Sequence, residues 1–401
     1  MKIGIGAIFR DEFDYIIEWL SYHIVAGFND YLIADNGSTD GTRELLEALQ
    51  EVGFISLLYQ PVVENFAQIR AYNKIVEKTI ELWDAILFID ADEFLVHDSF
   101  VDGAEMSYLI NLLSDQTIGL IGINWRCFGS SGLEDQDERL VIERFRWCAD
   151  DSNIVPYSKV FKSILNNNNI KSLSNYSFHQ KADVHISFVT DDAKKVSVLG
   201  DNISQFLWPI DGIFCPVSDS PIVSVLESAP LRINHYLIKS KSEYTTKKRV
   251  RGDAQSGINT DRGEQYFFDH DFDDKVFNFP HKKIASVKKK IVDVLYAVNH
   301  STFTARLIGN IDVSNCDEVV GWLGHQSGHV DLLFVSVFVN GVHKGLSPCK
   351  FYRPDVKERG FSVDGRCGFR FTHPQPLASG DVVEIYVYAN RFRFENFRSV
   401  I

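Results

Sequence analysis

Asp90 and Asp92 stand one residue apart at the end of the apolar run Ile86-Leu87-Phe88-Ile89, and no side chains of this sequence are better suited to holding a divalent cation. On an extended strand residues i and i+2 share a side, so the spacing predicts two carboxylates presented together at a strand's carboxyl end. Mg²⁺ and Mn²⁺ prefer oxygen, are held by one or two carboxylates and complete their shell with water and phosphate oxygens. A nucleoside diphosphate is the natural third party. The same tripeptide is also a common solvated turn, so its setting has to decide. Glu93 points the other way on an extended chain and is expected to make a structural hydrogen bond.

The setting is a series of strands that release polar residues. Tyr31-Leu32-Ile33-Ala34 runs into Asp35-Asn36-Gly37-Ser38-Thr39-Asp40-Gly41-Thr42, in which the glycines permit unusual backbone angles and Ser38, Thr39 and Asp40 can cap the helix that follows. Lys2 to Phe9 likewise runs into Arg10-Asp11-Glu12 and an amphipathic helix carrying Phe13, Ile16, Ile17, Leu20 and Ile24. In an open α/β sheet ligands bind at the carboxyl edge of the strands, which places Arg10 where a nucleotide would lie.

These pieces resemble the nucleotide-diphospho-sugar transferases of the GT-A fold, in the group around glycosyltransferase families 2 and 92. The resemblance rests on Arg10-Asp11-Glu12 with Glu18-Trp19-Leu20 and His23, the Asp35 to Thr42 loop, Gln68 with Arg70, Tyr72 and Asn73, and Asp90-Ala91-Asp92-Glu93-Phe94. Trp125, Phe128-Gly129-Ser130-Ser131-Gly132, Glu143-Arg144-Phe145, Asn234-His235-Tyr236, Lys239-Ser240 and Arg251-Gly252 extend it. It implies an α/β, Rossmann-like catalytic domain that moves a hexose from a nucleotide sugar, UDP-linked, to a glycan acceptor with inversion, as in the synthesis of a surface polysaccharide. It also implies that Arg10, Asp35, Asn36, Arg70, Asn73, Asp90, Lys239 and Arg251 contact the donor, Asp35 reading uracil or ribose. His235 would join Asp90 and Asp92 around Mn²⁺ or Mg²⁺, although a lone histidine in an apolar strand is more often a satisfied core residue. The basic run Lys239, Lys241, Lys247, Lys248, Arg249 and Arg251 would neutralise the leaving UDP, or else form a solvated face or a membrane-surface patch.

Inverting transfer needs a carboxylate to take the acceptor's proton. Glu143 is the first candidate because it follows the Phe128 to Gly132 loop, which is expected to border the acceptor, and Asp183 and Asp211 are its rivals. The Glu-Asp pair of family 2 has no counterpart at a matching position.

With 401 residues, two domains are the expectation, and 45% hydrophobic and 13% aromatic residues are enough to bury a large core. A net charge of −13 argues against a nucleic-acid binder. Six scattered cysteines without a C-x-x-C pair argue against zinc or a disulfide framework and fit a reducing cytoplasm. The first residues begin a strand, and no apolar run approaches membrane-spanning length, so any membrane contact is expected to be peripheral, at the inner face.

Strands are expected near 2–9, 30–35, 54–59, 85–90 and 118–124, and helices near 11–26, 40–52, 66–82 and 104–114. A catalytic domain over 1–300, with a helical tail from about 241, gives way to an all-β unit over 301–401. That unit alternates short strands with turns such as Asn340-Gly341 and Asp364-Gly365, as in a sandwich of about seven strands. It resembles the sandwich modules appended to some bacterial glycosyltransferases, through Val320-Gly321-Trp322, Tyr352-Arg353-Pro354-Asp355 and Gly368-Phe369. Two other functions stay open: a nucleotidyltransferase, although no glycine-rich loop follows the first strand, and a noncatalytic glycan-binding protein.

Overall fold

The computed structural model describes residues 1–60, 67–137, 139–150, 161–170, 192–200, 203–207, 215–218, 229–249, 261–298, 307–326, 334–387 and 397–401. Asp183, Asp211 and Arg251 lie outside them. Strands β1 (Ile3–Phe9), β2 (Tyr31–Asp35), β3 (Ser56–Tyr59) and β4 (Ala85–Phe88) pair in parallel in the order β3-β2-β1-β4. Helices α1 (Ile16–Val25), α2 (Thr42–Glu51) and α3 (Ala67–Thr79) connect them. Strands covered on both faces should read as continuous apolar runs, and β2 and β4 are buried along their whole length.

The sheet then becomes mixed. After β5 (Glu93–His97), α4 (Ala104–Leu112), β6 (Ile118–Cys127), α5 (Val141–Arg144) and β7 (Trp147–Cys148) come β8 (Phe161–Asn166), β9 (Lys194–Ser197), β10 (Ile203–Leu207), β11 (Cys215–Ser218) and β12 (Leu231–His235). From β4 the order continues β8-β6-β12-β5, with β9 beside the first half of β6. β8 is antiparallel to both β4 and β6, β12 is parallel to β6, and β5 is antiparallel to β12. Strands β1, β2, β4, β6 and β12 therefore end at one edge, while β5 and β8 begin there.

One face of the sheet packs on Tyr72, Ile75 and Val76 of α3 and on Trp83 just beyond it, and the other on α1 and α2. Gly4 and Gly6 serve the first contact, because a Cβ on Gly6 would stand 2.8 Å from the Phe88 ring and 2.9 Å from Ile75. At the sheet's outer edge Leu57 of β3 donates its N–H to the Gln50 side chain of α2 at 2.8 Å. The long helix His281–Val298 lies against α1, and its Lys283 is fully buried with Glu105 of α4 at 3.1 Å.

The last hundred residues build two four-stranded antiparallel sheets. β13 (Lys275–Val276) pairs with β7, and the sheets follow from β14 (Leu307–Ser314), β15 (Glu318–His325), β16 (Phe334–Val339), β17 (Val342–Pro348), β18 (Phe351–Tyr352), β19 (Arg366–Thr372), β20 (Val382–Val387) and β21 (Arg398–Val400). Their orders are β14-β15-β19-β18 and β17-β16-β20-β21. Val335, Val337 and Val339 alternate inward against Val383, Ile385 and Val387, as a half-buried strand pattern dictates. Asn340 (φ 51°) and Gly341 (φ 76°) close the β16–β17 hairpin with two left-handed residues. The architecture is a GT-A sheet with an all-β module of eight strands among the described residues, one more than expected.

Two local expectations are corrected. The helix expected from residue 11 starts at Ile16, since residues 11–15 are spent on turns that bond the next loop. Asp90 and Asp92 do not leave a strand side by side, because β4 stops at Phe88 and residues 90–92 turn into β5. Glu93 N–H reaches the Asp90 carbonyl at 3.1 Å, and its carboxylate takes the Asp90 N–H at 2.8 Å. The structural hydrogen bond expected of Glu93 is this one.

Candidate active site

The loops leaving β1, β2, β4, β6 and β12 meet at the shared edge and are bonded to one another. Asp11 accepts the Thr39 N–H at 2.8 Å, Ser38 accepts the Asp11 N–H at 3.1 Å, and Asp40 accepts the Phe13 N–H at 3.2 Å, which fixes the first two loops together. Trp19 ties α1 to the carboxylate turn through the Asp90 carbonyl at 3.0 Å. Asp11, Ser131 and Lys239, in the loops after β1, β6 and β12, have φ between 55° and 57°. Non-glycine residues in this left-handed region cost energy and gather at functional sites.

The two carboxylates take different partners. Lys162, at the start of β8, places Nζ 2.6 Å from Asp90 and 3.4 Å from the fully buried Glu93. Asp92 bonds Lys248 through one oxygen, and the other lies 3.5 Å from His235 Nε2. Burial pushes the Asp92 carboxyl up, but Lys248 and then His235 outweigh it and hold it well below the usual carboxylate range. Burial lowers the His235 imidazole, more than Asp92 raises it. A neutral imidazole is the metal-binding form. His235 stacks edge-on against Trp125 at 4.2 Å, and its buried Nδ1 has no hydrogen-bond partner.

Three lysines lie along this edge. Lys239 places Nζ 3.8 Å from the Tyr15 ring centre, and burial lowers it while Glu12 and Asp92 raise it. Lys247 bonds Asp14 at 2.7 Å with Asp40 at 3.9 Å, and Lys248 bonds Asp92. Beneath them lies a buried network. Arg144 grips Glu243 at 2.7 and 2.9 Å, Tyr15 donates to Glu243 at 2.8 Å, and Ser240 caps the turn that Glu243 closes. Burial pushes the Glu243 carboxyl up, yet Arg144 overrides it and brings it to about 2.

The remaining candidates divide. Arg10 stands at the edge beside Asp11 at 3.7 Å. Asp35 is fully buried, with Arg43 on one oxygen at 2.7 and 2.8 Å and the Ser38 N–H on the other at 3.1 Å. Its carboxylate organises the loop. Asn36 Oδ1 and Asn73 Nδ2 are buried without partners, while Arg70 is exposed on α3. Glu143 is not brought to Asp92. It caps α5 through the Leu140 N–H at 3.2 Å and pairs with Lys288 at 2.8 Å. On the other side of the site Gly129 lies against residues 271–272, and Asp271 accepts the Ser130 N–H at 2.6 Å. Lys162 went unnoticed in the sequence, where its one signal is a charge inside the apolar run Phe161 to Leu165.

The model of glycosyltransferase family 92 matches residues 7–194, a little under half the chain, and spans the loops after β1, β2, β4 and β6. Those residues are similar to a family 92 glycosyltransferase domain. No curated protein matches the chain. Among solved structures, TarS of S. aureus is similar at 10% identity, covering 96% of this chain and 75% of that chain with a TM-score of 0.33. Its 1–349 fragment is similar at 14% identity, covering 42% and 47% with a TM-score of 0.28, so the chain spans about half of that fragment. HddC of Yersinia pseudotuberculosis is similar at 9% identity, covering 49% and 91% with a TM-score of 0.29. Likenesses of this degree carry no inference about chemistry.

Among the described residues no group of three or more His, Cys, Asp or Glu side chains is gathered for a metal. Asp92 and His235 still place a carboxylate oxygen and Nε2 3.5 Å apart, a pair whose chemistry suits Mn²⁺ better than Mg²⁺, which takes oxygen ligands, with phosphate and water to complete the shell. Asp90 is turned to Lys162 and is not part of that pair. No helix among the described residues is long and apolar enough to cross a membrane.

Proposed function

We propose that this glycosyltransferase moves a hexose from a nucleotide sugar, UDP-linked, to a glycan acceptor, with inversion and with Mn²⁺ or Mg²⁺ at Asp92 and His235. The observation that carries the reading is the convergence of Asp92, from the region that matches family 92, with His235 and three lysines that follow it in the chain, on one strand edge beside the fixed loops after β1 and β2. A departing diphosphate needs positive charge at a preorganised place. Lys239 and Lys247 are held there by Tyr15 and Asp14, and the Arg144–Glu243 network keeps the segment that carries them from moving. Asn36 and Asn73 offer the unpaired acceptor and donor for the nucleoside, and Arg10 adds charge beside them. When bound, the cation supplies Lewis-acid stabilisation of the leaving diphosphate. The acceptor enters from the Phe128 to Gly132 loop. With Glu143 held by Lys288, the proton acceptor falls to Asp183 or Asp211.

Calorimetric titration of UDP with and without Mn²⁺, with hydrolysis of UDP- and GDP-sugars followed by nucleotide release, tests this. Binding should require the cation, and Asp92→Asn should abolish it in a chain that keeps its circular dichroism but melts lower, because Lys248 loses its partner. Equal affinity in EDTA would remove the metal, and release from no donor would remove the donor class.

A further inference from the structure

Of the three lysines at the edge, only Lys248 is bonded to a group that a cation would also need. Lys247 is fixed between Asp14 and Asp40, and Lys239 is buried over Tyr15. Lys248 ends the π-turn Tyr244–Lys248, a helix irregularity frequent at functional sites, and its ammonium sits on Asp92. A divalent cation on Asp92 and an ammonium on the same carboxylate repel each other, so the two compete. A diphosphate arriving beside them offers the ammonium a second anionic partner within the same pocket.

We propose that Lys248 is an exchangeable counter-ion, resting on Asp92 in the free enzyme and passing to the donor's diphosphate when a cation takes the carboxylate. The inference rests on the nucleotide-sugar reading and adds a residue and an order to it. Lys248 opposes the cation when the pocket is empty and supports the donor once the pocket is filled. Cation and donor then bind cooperatively, each raising the other's affinity by the same factor. The pairing with Lys248 offsets the cost of burying the Asp92 carboxylate in the free enzyme, since an unpaired buried carboxylate would be costly.

The test is Lys248→Met, with Lys248→Arg as the charge-preserving control, read by calorimetry in the full chain. Mn²⁺ alone should bind the methionine variant several-fold tighter than the wild type, while UDP in saturating Mn²⁺ should bind about tenfold weaker, as loss of one charge-assisted phosphate contact predicts. The arginine variant should stay near the wild type in both. Unchanged Mn²⁺ affinity overturns the competition on Asp92, and unchanged UDP affinity overturns the passage to the diphosphate. The Mn²⁺ titration needs no nucleotide. A wild-type chain that binds no UDP, with a methionine variant that gains Mn²⁺ affinity, therefore defeats the donor reading and leaves the competition standing.

Discussion

Glu143 illustrates how a residue's neighbours decide its role. Its carboxylate closes the first turn of α5 and reaches Lys288 on the long helix, so both oxygens have duties away from the carboxylate turn. Glu143→Gln should leave turnover within about twofold and cost roughly 0.5–1 kcal/mol of stability, the range for an exposed ion pair and part of a cap. Donor release and thermal melting on one preparation check this, and a hundredfold loss of turnover would restore Glu143 as the base. At this scale the sequence was informative where chemistry is local. Asp92 stands out because two carboxylates one residue apart end an apolar run, and the partnership of Asn340 and Gly341 in a hairpin is written in adjacent letters. His235 was reachable only through the family resemblance. Lys248 was one of six basic residues, and which of them meets Asp92 depends on how residues 240–249 approach a turn 150 positions earlier, which no local pattern encodes.

Between elements, Glu18 of α1 carries a pH signature. It accepts the Val141 and Ile142 N–H groups at 2.8 and 3.2 Å and so caps α5 from outside, while burial pushes its carboxyl up from 4.5 to about 7 against those bonds. The folded state therefore binds a proton that the unfolded chain has released. The stability this gives is complete below about pH 4.5 and is lost as pH rises through 7, on the order of 3 kcal/mol in all. Glu18→Gln cannot titrate, so the melting-temperature advantage of the wild type over this variant should shrink between pH 5 and pH 8. A constant difference across that window would mean that Glu18 keeps an ordinary affinity for protons. The strands of the first half were legible within two or three residues because apolar runs separated by helical periods leave few alternatives. β5 was not. Its residues read as the tail of β4 until the turn at Asp90 to Asp92 is seen, and its partner β12 lies more than 130 positions away.

For the whole molecule, we propose that residues 1–300 and 301–401 are separable units. Lys283 and Glu105 fasten the long helix to the first unit, which has its own sheet and both of its covering layers. Buried apolar residues nevertheless form one continuous cluster from that sheet into the sandwich. A 1–300 fragment should thus keep its circular dichroism and release UDP from a donor sugar, but melt several degrees lower than the full chain. Loss of helical signal would show that the sandwich completes the first core. The sheet's own margin, meanwhile, bears on how the protein behaves in a crowded solution. Among the described residues β3 is an outermost strand, and the outward groups of such a strand are a template on which another chain can extend the sheet. Because Gln50 occupies the Leu57 amide, that template is interrupted in the middle of a four-residue strand. Gln50 is in this sense a guard against aggregation, and it would be missed first by partly unfolded chains at high concentration.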